Sequence, residues 1–106
     1  MIKVSVFYPY SDGAAFDLDY YVTKHIPMVA ELTGDACKGS SVDAGLGGGA
    51  PGEAPAFVAI GHLLFESVEE FQTAFGPHAG QIMGDIPNYT AIPPTILISN
   101  VTTVTG

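Results

Sequence analysis

Arginine is absent from this chain of 106 residues, and only three lysines (Lys3, Lys24, Lys38) stand against eleven aspartates and glutamates, a formal net charge of −8. Nucleic-acid binding rests on clustered cations that displace counterions from phosphates, so the composition argues strongly against it. Nucleotides and coenzyme A are disfavoured on the same ground, since phosphate-rich ligands favour Arg forks or helix N-termini. Cys37 is the sole cysteine. That removes a disulfide framework and a cysteine-based zinc site, and makes a reducing cytoplasm the expected compartment. No apolar run approaches the length of a membrane span, and Met1 leads directly into a strand-like segment, so neither an anchor nor a signal peptide is expected. Charge of either sign is scarce, 13% of residues against 47% apolar, which is unusually little for a soluble monomer of this size. The deficit points to apolar surface buried against a second copy, and to a neutral, largely apolar ligand. The length suits one domain, residues 1–106, with one modest core.

What is present centres on residues 16–34, F-D-L-D-Y-Y-V-T-K-H-I-P-M-V-A-E-L-T-G. The spacing predicts one amphipathic helix. Asp17 is placed to cap its N-terminus, Phe16 and Tyr21 to staple it, and Gly34 to end it. At about 100° per residue, Leu18, Val22, His25, Val29 and Leu32 share one arc. His25 thus lies where an aliphatic residue is the default, with Tyr21 one turn earlier reaching the same space. Either His25 is a neutral core histidine, or its face borders a cavity where acid–base or ligand chemistry occurs. Pro27 lies inside the helix and cannot donate to the carbonyl of Thr23, which predicts a bend.

Around this element the chain alternates between strand and helix signals. Residues 2–7 alternate cleanly, with Ile2, Val4 and Val6 on one face. Tyr8-Pro9-Tyr10 ends that strand, with its tyrosines placed to line a pocket mouth or to anchor the loop. Residues 36–46 form a weak strand with glycines at its ends. The Gly-rich run 47–55 is a hairpin tip and not a phosphate cradle, because no Lys-Ser/Thr and no helix follow it. Residues 56–65 are apolar on both pleat faces, as in a strand covered from both sides, and His62 on it is either core or pocket lining. Ser67 to Glu70 form a capping box that opens a second helix, broken at Gly76-Pro77 and resumed to about Met83. In the connection Gly84 to Thr90, Asp85 and Asn88 are suited to shaping the turn and Tyr89 offers a donor. The β-branched run 95–104 is the closing strand.

The order β-α-β-β-α-β is that of a split βαβ, ferredoxin-like α+β domain with a four-stranded antiparallel sheet and both helices on one face. Its uncovered face predicts a homodimer packed sheet to sheet, with a cavity under the helices bordered by Tyr21, His25 and, given the right register, His62. At this point the motifs F-Y-P-Y-S-D-G, F-D-x-D-Y-Y-x-x-x-H-I-P-M-V and D-I-P-N-Y-T resemble the EthD family of dimeric α/β-barrel proteins. The matching positions are Tyr20, Tyr21, His25, Pro27, Asp85, Asn88, Tyr89 and Thr90. The resemblance implies a bacterial protein associated with ether degradation and described in oxidoreductase terms. It supports fold more than reaction, since the wider superfamily spans cofactor-free monooxygenases, haem enzymes, lactone isomerases and polyketide cyclases. Three functions follow. The first is an enzyme without cofactor acting on a small apolar or phenolic substrate, with His25 as acid or base and Tyr21 or Tyr89 holding an oxyanion; Tyr8, His62, Asp85 and Asn88 would line its pocket. The second is a non-catalytic binding or accessory protein. The third is a haem or metal protein with His25 as ligand, which no H-x-x-x-H or H-x-H spacing supports.

Overall fold

In the computed structural model, which describes residues 1–104, the cleanest alternation in the sequence becomes the middle of the sheet. β1 (Ile2–Pro9) pairs antiparallel with β3 (Phe57–Phe65) on one side and with β4 (Thr95–Asn100) on the other. β2 (Gly39–Ala44) adds to β3, giving the order β2-β3-β1-β4. This is the split βαβ arrangement expected, with four antiparallel strands. β4 is shorter than its β-branched run: its pairing with β1 runs to Ile2 opposite Asn100, followed by a bond from the Val101 N–H to the Met1 carbonyl. Among the described residues no helix is long and apolar enough to cross a membrane.

The helical layer between β1 and β2 departs from a single α-helix. α1 is one turn (Leu18–Tyr20), Tyr21–His25 form a π-helical turn, and α2 (Ile26–Thr33) completes the rod. The Ile26 N–H reaches back five residues to the Tyr21 carbonyl. Pro27, at the start of α2, cannot bond Thr23, and the distortion its missing N–H predicts takes the form of this π turn. An arc drawn at constant pitch therefore fails before and within the turn: Leu18 and Val22 are 38% and 46% exposed, whereas Tyr21, His25, Ile26 and Val29 are buried. The ends behave as read. Asp17 accepts from Tyr20 N–H, the Phe16 and Tyr21 rings lie 5.3 Å apart, and Gly34 stops α2 at a φ of 61°. After β3 come α3 (Val68–Phe75), capped by Ser67, and α4 (Ala79–Gly84), separated by a tight turn at Gly76–His78.

Helices and sheet enclose two apolar groups. Ile2, Val4, Val29, Leu63, Phe65 and Ile82 form one; Tyr8, Tyr21, Ile26, Tyr89 and Ile92 form the other. The sheet's other face carries Phe7, Ile60, Leu64 and Leu97, and no helix of the described residues covers it; Leu97 is half exposed.

Candidate active site

Between the two apolar groups lies a cavity of about 350 Å³. Its walls come from the inner face of the sheet (Val4, Val6, Gly61, Leu63), from Phe71, Phe75 and Ile82 of the second helical layer, and from Tyr8, Tyr21 and His25. No Lys, Arg, Asp or Glu is among the residues lining it. Within that wall His25 carries the one imidazole.

His25 is 5% exposed, and its ring lies against that of Tyr21 with centroids 5.4 Å apart and planes 15° apart. Its Nδ1 is 2.9 Å from Oδ2 of Asp85, at the end of α4. The Tyr20 hydroxyl donates to Oδ1 of the same carboxylate at 2.7 Å, and the Asn88 amide donates to it at 2.8 Å. Burial alone would push the Asp85 carboxyl upward, but the bonds from Asn88, His25 and Tyr20 together outweigh it and hold it below the usual carboxylate range. The carboxylate is thus ionised and can only accept, so Nδ1 carries the hydrogen. Nε2 is then the nitrogen available to a cavity ligand. This is the arrangement of an oriented base: a carboxylate fixes the tautomer of the ring and stabilises the imidazolium when Nε2 takes a proton.

Behind His25 the hydroxyl of Tyr8 sits between those of Tyr89, at 2.5 Å, and Tyr21. Burial, followed by the bond to Tyr8, pushes the Tyr89 phenol far up. Burial, then the neighbouring Tyr8, does the same to Tyr21, and burial raises Tyr8 more than the adjoining hydroxyls of Tyr89 and Tyr21 lower it. All three are neutral donors at ordinary pH. Tyr21 is seated by a glycine: a Cβ at Gly61 would collide with the Tyr21 hydroxyl. A glycine within a strand often marks such a close approach, and that was the available signal for a residue the sequence analysis passed over.

The candidate residues divide into three groups. Tyr8, Tyr21 and His25 line the cavity. Asp85 and Asn88, expected in the pocket wall, stand behind it and reach it through His25, because the turn that carries them packs on the outer side of the ring. Tyr89 does not face the cavity either: its ring packs 4.8 Å from that of His25, its hydroxyl is engaged by Tyr8, and its edge borders a shallower outer groove. His62 is elsewhere altogether. Side chains alternate along β3, and with Gly61 and Leu63 turned towards the helices His62 points to the open face. There it bonds Ser5 Oγ and Asp43 Oδ2, each at 2.9 Å, so His25 and His62 do not share a cavity. Tyr20, which is not among the residues of the predicted apolar arc, shares Asp85 with His25. Among the described residues, no three His, Cys, Asp or Glu side chains are grouped so as to hold a metal ion.

Residues 13–93 match the family model of the EthD domain. The chain is 47% identical to an EthD-like protein from Ralstonia eutropha JMP134 whose crystal structure superposes with a TM-score of 0.93, covering 96% of this chain and 92% of that one. It is 32% identical over 110 residues to an uncharacterized 11.0 kDa protein encoded between thcB and thcC in Rhodococcus erythropolis, covering 98% of each chain. A candidate antibiotic biosynthesis monooxygenase from Bordetella bronchiseptica shares the fold at 16% identity, with a TM-score of 0.59 over 93% of each chain.

Proposed function

The chain belongs to the EthD family, and on that footing we propose that it is a small enzyme acting on an apolar or phenolic substrate, with His25 as its acid–base group. The observation that carries this reading is a single one: an imidazole held through Nδ1 by the Asp85 carboxylate borders an apolar cavity of about 350 Å³. That volume lies at the small end of ligand sites. A substrate seated there gives a proton from an acidic O–H or C–H to Nε2, and Asp85 stabilises the resulting imidazolium. The negative charge left on the substrate is met by the neutral hydroxyls of Tyr21 and Tyr8. The proton returns from Nε2 to the product, so His25 ends as it began. Proton transfer of this kind serves cofactor-free monooxygenation, cyclisation and isomerisation alike, and the fold shared with the Bordetella protein is consistent with the first. The working form is a homodimer, because Phe7, Ile60, Leu64 and Leu97 otherwise leave an apolar sheet face in water.

The test begins with a native mass spectrum of protein purified from its own host, recorded with its ultraviolet–visible spectrum. A dimer carrying a small organic molecule, without visible absorption, supplies the substrate class. Turnover of that class should then fall by about 10²–10⁴ in His25→Gln with binding retained. Unchanged turnover and affinity in that variant would make the chain a binding or accessory protein instead, and a bound haem would make His25 a ligand.

A further inference from the structure

We propose that Tyr20 is a positioning residue for His25, acting through the Asp85 carboxylate they share, and that the π turn is the device that brings the two side chains to it. The inference rests on the reading of His25 as the proton-transfer group. Tyr20 and His25 are five positions apart. On a regular α-helix, positions five apart point about 140° away from one another, and two such side chains do not meet at one small group. Here the Ile26 N–H bonds the Tyr21 carbonyl five residues back, which puts one more residue into the turn and swings position 25 towards position 20. The result is that the Tyr20 hydroxyl reaches Oδ1 of Asp85 at 2.7 Å while His25 Nδ1 reaches Oδ2 at 2.9 Å.

Two donors on one carboxylate compete for its charge. The Tyr20 phenol and the Asn88 amide both take from Oδ1, and what they take is not available to draw on the Nδ1 hydrogen of His25. Tyr20 therefore sets how strongly Asp85 pulls on the ring. That pull fixes the ring and its Nδ1 hydrogen while Nε2 takes and returns the proton. Aromatic packing fixes the Tyr20 hydroxyl in place, since its ring lies 6.1 Å from that of Tyr89 with planes 25° apart.

The experiment is proton and nitrogen NMR on the full chain with ¹⁵N-labelled histidine, in Tyr20→Phe, Asn88→Ala and Asp85→Asn. Tyr20→Phe keeps the ring and its stack on Tyr89 and removes only the donor. Asn88 is exposed and provides a second variant that removes a donor from the same oxygen. The ring nitrogen shifts are read from the carbon-bound ring protons, which needs no slowly exchanging N–H. With a competitor removed, the Nδ1–H···Oδ2 bond tightens, and the His25 Nδ1 signal should move downfield by a small amount in both variants; in Asp85→Asn, where Tyr20 and Asn88 hold the amide oxygen and the NH2 faces the ring, the tautomer should switch and Nδ1 should take the far larger shift of an unprotonated ring nitrogen. A Tyr20→Phe spectrum in which Nδ1 is unmoved or moves upfield would overturn the proposal, since a purely structural role predicts one of those. The spectrum is independent of turnover. If His25→Gln keeps full activity, the proposed function fails whatever the shifts show.

Discussion

Gly61 offers a direct test of how the cavity wall is built. In Gly61→Ala the added Cβ would occupy the position of the Tyr21 hydroxyl and also come to 3.2 Å from Tyr21 Cζ, tighter than packed side chains tolerate. Tyr21 is 1% exposed and stacked on His25, so it has little room to withdraw. Overpacking of this kind costs about 1–3 kcal/mol, reduced by the few tenths to about 1 kcal/mol that Gly→Ala gains from a stiffer unfolded chain. Tyr21→Phe alone removes a buried hydroxyl beside that of Tyr8 and should cost about 1 kcal/mol. If the clash is with the oxygen, removing that oxygen makes room for the methyl group. The double variant should then be no less stable than Gly61→Ala alone, leaving a favourable coupling of about 1 kcal/mol. Urea unfolding of the four proteins, followed by circular dichroism, measures the cycle. Additivity within about 0.5 kcal/mol would refute the reasoning, because it would mean that Gly61 and Tyr21 do not compete for the same space.

Three further expectations follow from the same packing. The Asp85 carboxyl is held below its ordinary value of 3.8, so its contribution to stability is fully present above that pH and is lost as pH falls through the lower folded value; the stability gap between wild type and Asp85→Asn, measured by urea titration, should be widest near neutrality and close below about pH 3.8. Phe65 is 0% exposed and packs on Phe71 at 5.1 Å between ring centroids, so Phe65→Ala should cost about 3–5 kcal/mol in the same assay, and a loss under 1 kcal/mol would contradict the core described above. Leu97→Lys places a charge on the open sheet face, where the wild-type side chain is 50% exposed; native mass spectrometry should show a dimer in the wild type and a folded monomer in the variant, and a dimer that persists would put the interface elsewhere.

Much of the fold was legible because it depends on period. The alternation of residues 2–7, the two-sided apolar run ending at Phe65, the Ser67 cap and the Gly34 stop each follow from a neighbour or from the second, third or fourth residue along the chain. Their order names the topology. Motifs around Tyr20, His25 and Asp85 likewise carried the family. The helical stripe failed at Leu18 and Val22 for a definable reason: a constant 100° per residue holds only while every carbonyl bonds four residues on, and Pro27 breaks that condition.

Sequence by itself therefore determined the element order, the anionic and cation-poor character that disfavours phosphate ligands, and the presence of an imidazole on a buried helix face. Tertiary structure alone decided what that imidazole touches. His25 and Asp85 are 60 positions apart, and Ser5 and His62 are 57, so no local periodicity relates them. A one-residue difference in strand facing separates Gly61, which seats Tyr21 in the cavity wall, from His62, which is turned to the opposite side of the sheet. The backbone pattern specifies that each side chain must go to one face or the other, and only the docking of the helical layer against the sheet selects which face becomes the cavity.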